Sequence, residues 1–342
     1  MKWILFPIGL LSLLVRMPAY CQSAPIDPIA FFNDSSVLQA TLVTNLDKIL
    51  SSRRKKHSPI PGVFKTTLPD GQTLTGPVTL RVRGNFRLDF CYVPPIKIKF
   101  STNDSSVLRS LKSLDLITAC KSSPDFEQYL LKEYLIYKIY NVLTEKSFRV
   151  RLLNLNLQDS AGKKKPLNIY AFLQEDVKDL AKRNGYREMG KGNVKSPPFD
   201  RQQVTMVSIF EYMIGNLDWG LSPNHNVKII LSSKDSAGGL EIIPYDFDYA
   251  GFVNAHYSVS NDPELENVKQ RKYIGVSRTM AELEEVLSIF RQRKARIYDL
   301  INHFELLTVK NRKEIIDYLD EFYGMIGHPA QVKSNFTPDA AQ

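Results

Sequence analysis

Cysteine is scarce in this chain, with three residues in 342, at positions 21, 91 and 120. None stands in a CxxC pair or at metal-ligand spacing, which excludes cysteine-built metal and dithiol motifs. Beyond the first 21 residues no apolar run is long enough to span a bilayer. Internal repeats and low-complexity tracts are missing. So are a Walker A sequence, a Gly-x-Ser-x-Gly elbow, a His-Glu-x-x-His pair and the glycine-rich loop of ordinary protein kinases, which removes the best-marked routes to nucleotide, acyl and zinc chemistry.

What is present has an ordinary globular balance, 43% hydrophobic and 24% charged. That predicts one large domain or two closely packed lobes. Lys2, the apolar run Trp3 to Val15 and the processing site Pro18-Ala19-Tyr20-Cys21 read as a secretory signal peptide over 1–21. The mature protein is therefore expected to be secreted, or held in the periplasm or cell envelope, with no transmembrane segment. Cleavage removes Lys2 and Arg16 and takes the formal charge from +9 to +7. The excess is spread over short basic pairs, which suits anionic ligands or surfaces and gives no reason to expect nucleic acid. Cys91 and Cys120 then remain, and in an exported chain they either join as one disulfide or stay apart, according to whether their Cα atoms come within range.

In chain order, Pro25 to Asn33 reads as an irregular lead-in, Ser35 to Leu50 as a short helix and Arg53 to His57 as a solvated basic run. Val78, Leu80 and Val82 alternate with Thr79, Arg81 and Arg83, and Ile96, Ile98 and Phe100 alternate with Lys97 and Lys99. Two strands are predicted, and if they are neighbours their cations form one face suited to a nucleotide triphosphate, or a solvated one. Phe126 to Leu143 is a helix apolar on nearly every side, hence buried, and its Glu133 either steadies a strand lysine or faces solvent. Phe148 to Leu157 changes phase at Leu152-Leu153, which predicts a bulge before a hairpin to Leu167–Leu173. A short helix from Asp176 ends near Gly185, and the Gly, Asn, Ser and Pro residues up to Pro198 mark a mobile loop or lobe boundary. The expected layout is a sheet-rich N-terminal lobe over 22–185, a C-terminal lobe over 186–328 carrying the site loops, and a frayed tail over 329–342.

The most informative stretch runs from Arg201 to Gly251. Helical spacing from Met206 to Leu217, with a stop at Gly215, delivers Asp218 just past a helix end. Val227–Leu231 and Leu240–Pro244 are two short apolar runs joined by turn residues, so they should fold back as a hairpin. That hairpin brings Asn226 close to Asp246, 20 positions later. Carboxylates and amide oxygens gathered this way suit Mg²⁺ or Mn²⁺. Asp218 is then the general base or the group that orients a hydroxyl, and Asn226, Asp246 and Asp248 hold the metal.

The order Arg83-Gly84-Asn85, IKIKF, the buried helix, NIYAFLQED, NLDWGLSPNHNVKI and IPYDFD resembles the CotH family, the spore-coat protein H kinase-like proteins. The similarity covers roughly Val78 to His256. It implies an α+β, atypical protein-kinase-like two-lobed fold, with an antiparallel N-terminal sheet, a packed helix and a mainly helical C-terminal part. It also implies ATP and Mg²⁺ or Mn²⁺ as cofactors and a secreted or surface protein as acceptor. Asp218 matches the family's catalytic aspartate, Asp246-Phe247-Asp248 its metal-binding segment and Asn226 the asparagine before the strand, with Asn224 the alternative ligand. Arg81, Arg83 and Lys97 from the cation face, with Glu133 from the buried helix, are the expected nucleotide-side residues. The chain departs from the family in having Phe86-Arg87-Leu88 after the Arg-Gly-Asn and Val93-Pro94-Pro95 before the next strand. The expectation is a secreted, metal-dependent, kinase-like phosphotransferase. The alternative is an inactive binding or scaffold module of the envelope or spore surface.

Overall fold

The computed structural model describes residues 27–51, 58–84, 86–102, 107–189, 199–221, 225–233, 239–260 and 262–337. The expected signal segment, the Arg53–His57 run, Asn85, Asn224 and most of the expected mobile loop lie outside these residues.

A short helix α1 (Pro28–Asn33) leads into β1 (Leu38–Thr44) and α2 (Leu46–Ser51). The single helix expected over Ser35–Leu50 is therefore a strand and a turn of helix. Leu38, Leu42 and Leu46 recur every four residues, a spacing that serves a helix and also one face of a strand, because four is even. Strand pairing decides it. β1 pairs antiparallel with β2 (Ile60–Thr67) and parallel with β6 (Val150–Asp159), Leu38 lying opposite Leu153 and Thr44 opposite Asp159.

The remaining strands are β3 (Thr73–Val82), β4 (Ile96–Phe100), β5 (Ser113–Thr118) and β7 (Leu167–Glu175). The order β1-β2-β3-β4-β5-β7-β6 closes on itself as a seven-stranded barrel. This overturns the expected two-lobed kinase-like fold. The N-terminal sheet, expected to be antiparallel, is a closed mixed barrel, shut by the parallel β1–β6 pair, with most of the described helices following it in the chain. Leu42, Phe64, Leu80, Ile98, Leu155 and Leu173 fill its interior.

Helix α3 (Phe86–Phe90) lies between β3 and β4, and α4 (Pro124–Leu143) packs across β6 and β7. No bulge forms in β6. Its register with β7 runs unbroken from Val150–Gln174 to Leu157–Leu167. Leu152 and Leu153 are both buried because the strand is covered on both faces, Val150 and Leu152 meeting the helical core and Leu153 the barrel interior, while the buried Arg151 between them pairs with Asp34 at 3.0 Å.

α5 (Val177–Arg183) starts at the Asp176 cap and β8 (Tyr186–Glu188) follows. α6 (Arg201–Ile214) then enters the hairpin β9 (Val227–Ser232) and β10 (Leu240–Pro244), which β8 extends to three strands. α7 (Met280–Asn302) and α8 (Val309–Ile326) cover α4 and α6. Of the expected frayed tail over 329–342, the first part is a helix, α9 (Pro329–Phe336), whose buried Phe336 ring sits 4.9 Å from that of Tyr212, and 338–342 lie outside the described residues. Cys91 and Cys120 are joined as a disulfide. Among the described residues no helix is long and apolar enough to cross a membrane.

Candidate functional site

α6 ends at Gly215, whose φ of 65° is the left-handed conformation that glycine adopts without steric penalty. The chain then turns through buried Asn216, whose amide donates to Glu211 Oε2 at 2.9 Å and whose Oδ1 accepts from the Asp218 N–H at 3.0 Å. Asp218 is thus set by its backbone as well as its side chain. Its Oδ1 lies 2.8 Å from His225 Nε2, and its Oδ2 accepts from the Asn226 amide at 3.0 Å. The same amide donates to the Asp218 main-chain carbonyl at 2.7 Å.

The β9–β10 hairpin closes this loop onto the second acidic segment. Val227 pairs with Pro244, and the Tyr245 N–H donates to the Asn226 carbonyl at 3.0 Å. Asn226 and Asp246 both have positive φ, 51° and 67°. Non-glycine residues take that conformation at a cost, and such strain gathers at functional sites.

On the far side of Asp246 lies a group of three carboxylates around one guanidinium. Arg87 Nη2 sits 2.9 Å from Glu133 Oε2, 3.0 Å from Asp248 Oδ2 and 3.4 Å from Asp246 Oδ1. Arg87 comes from α3, Glu133 from α4, and both aspartates from the segment after β10. Glu133 therefore neither meets a strand lysine nor faces solvent. Tyr257 donates its hydroxyl to Asp248 at 3.2 Å, and the Asp246 N–H donates to the Tyr137 hydroxyl at 2.9 Å.

One guanidinium against three carboxylates leaves two negative charges uncompensated when all are ionised. Burial pushes the Glu133 carboxyl up to about 8, with Arg87 opposing and Asp248 adding to the rise. Asp246 is raised as well, by its enclosed surroundings first and then by Asp248, again with Arg87 opposing. Its side chain nevertheless keeps 43% of its surface exposed, against 9% for Asp248. Among the described residues no three His, Cys, Asp or Glu side chains form a metal cage by themselves. Arg87 stands in the middle of the group that comes nearest to one. Even with Glu133 protonated the group keeps a net negative charge, which fits an added cation at the exposed edge of Asp246.

A cleft of about 390 Å³ adjoins the cluster, lined by Arg83, Lys97, Asp115, Asp176, Lys228 and Tyr245 among others. Arg83 forms an ion pair with Asp115, and Lys97 reaches Asp176 at 2.7 Å and Asp115 at 3.5 Å. Burial opposes the Arg83 charge, yet Asp115 and then Asp246 hold its pKa above the ordinary arginine value. Arg83 is thus the cleft residue that feels the charge of the acidic cluster. Lys228 extends over the Tyr245 ring at 4.7 Å, its pKa lowered by burial and by Arg83. Of the four cations expected on the β3–β4 face only Arg83 and Lys97 line the cleft. Arg81 and Lys99 are exposed and stand outside it.

Asp218 and Asn226 are hydrogen-bonded, the hairpin sets Asp246 directly after the Tyr245 that bonds the Asn226 carbonyl, and Asp248 turns inward to Arg87. Sequence reading assigned no role to Arg87, Asp115 or Lys228. Arg87 carried one signal, a charged residue between two apolar ones where the family pattern breaks, and Asp115 another, an acid inside the apolar run of β5. No protein-family model matches this chain, and no curated protein does either.

Proposed function

We propose that this chain is an exported phosphotransferase that binds a nucleoside triphosphate such as ATP, with Mg²⁺ or Mn²⁺, and acts on a secreted or surface protein. The observation that carries the reading is an acidic cluster with an excess of carboxylates over its one guanidinium, set beside a cleft lined by Arg83, Lys97 and Lys228. The motif order shared with the CotH family supports it. Arg83, Lys97 and Lys228 hold the phosphates. Asp246, beside Asn226, holds the metal, which when bound neutralises developing charge on the transferred group. Asp218, fixed by His225, Asn226 and Asn216, orients the acceptor hydroxyl and takes its proton.

The test is thermal unfolding of the mature chain with ATP and Mn²⁺ together. A rise in Tm that needs both and disappears in Asp246→Ala supports the reading, and no rise at millimolar ATP rejects it. Asp218→Asn is then expected to keep that rise while losing transfer to a protein acceptor by about 10²–10⁴-fold, as read by mass spectrometry. A second reading, an inactive nucleotide-free scaffold, draws on one observation. Arg83 and Lys97 already have carboxylate partners, so a phosphate must share or displace them.

A further inference from the structure

We propose that the Arg87 guanidinium is a built-in cation standing in for a second divalent ion, so that this centre admits one metal ion rather than two. The inference rests on the phosphotransferase reading and refines its cofactor. Two-metal phosphoryl-transfer centres use acidic residues to hold both ions, each ion neutralising oxygens on the transferred group.

Here a single nitrogen, Arg87 Nη2, lies within 3.4 Å of oxygens from three separate carboxylates, at the place where an ion would gather them. It is no loosely held surface arginine. Arg87 is buried, its carbonyl accepts from the Cys91 N–H at 3.0 Å, and Cys91 is bonded to Cys120 at the end of β5, just before α4. The guanidinium is thus anchored to the same framework that carries Glu133.

The two aspartates divide accordingly. Phe247 between them is buried against the rings of Tyr137 and Phe210, which turns Asp248 inward to Arg87 and Tyr257 and leaves Asp246 with an open side toward Asp218 and Arg83. One guanidinium and one divalent ion already cover the negative charge of the group, whether two or all three of its carboxyls are ionised. A second divalent ion would overfill the site with positive charge.

Mn²⁺ counted by electron paramagnetic resonance on the mature chain tests this. The expected stoichiometry is one ion for the wild type, two for Arg87→Gln and one for Arg87→Lys. A folded Arg87→Gln that still binds one ion overturns the inference and leaves the phosphotransferase reading intact. If the wild type binds none, that reading falls and the inference falls with it. If Arg87→Gln does not fold alone, refolding in Mn²⁺ decides it, because recovery of the fold shows an ion taking the guanidinium's place and no recovery overturns the idea.

Discussion

Glu133 shows at the scale of one residue how the site couples to stability. Its carboxyl lies at about 8 in the folded chain against an ordinary value near 4.5, because burial and Asp248 outweigh Arg87. Between those two values the folded state holds a proton that the unfolded state has lost, so Glu133 contributes stability below pH 4.5 that disappears as pH rises through 8. Urea unfolding of the metal-free chain is expected to show that fall. Glu133→Gln, which keeps the shape and removes the titration, should flatten it, and an unchanged slope in the variant would place the proton elsewhere. The partnership itself was not legible in the sequence. Asp218, Asn226 and Asp246 could be brought together on paper because a hairpin has a known geometry. Arg87 meets Glu133 across 46 positions through packing alone, and no local pattern announces that.

At the scale of elements, legibility followed the number of solutions a pattern allows. α4, α6 and the β9–β10 hairpin stand where the sequence placed them, since a long apolar helix, a glycine stop and two short apolar runs each have few alternatives. β1 and the apolar run in β6 were misread because a strand covered on both faces loses its alternation, and an even spacing fits helix and strand alike. The end of α6 is the element boundary on which the site depends most. A Cβ at Gly215 would collide with the Tyr318 hydroxyl and sit in the left-handed region. Gly215→Ala is expected to cost roughly 1–3 kcal/mol. Because Asn216 and Asp218 follow directly, the loss should be accompanied by weaker Mn²⁺–ATP binding, whereas an equally destabilising change in α9 should leave that binding intact. Differential scanning fluorimetry with and without ligand separates the two outcomes.

At the scale of the whole molecule the decisive contact is the one that shuts the barrel. β1 and β6 lie about 115 positions apart in the chain, Leu38 pairing with Leu153, and they run parallel, so no turn signal in the sequence links them. The alternation of β3 and β4 could be read locally, but a closed ring and an open sheet contain the same strands and differ only in whether the first and last meet. The distinction has a measurable consequence. In a closed ring β1 pairs on both sides, with β2 and with β6, and it places Leu38, Ala40 and Leu42 in the core. Deleting the chain up to Thr44 would therefore expose two strand edges at once and remove Phe31 and Phe32 along with the three inward side chains of β1. Unpaired edges are templates for association. The truncated protein is expected to aggregate or form oligomers on size exclusion and to lose the cooperative unfolding of the full chain. In an open antiparallel sheet with β1 at its margin, the same deletion would merely shorten the sheet by one strand. A soluble, monomeric, cooperatively folded truncation would thus argue against closure.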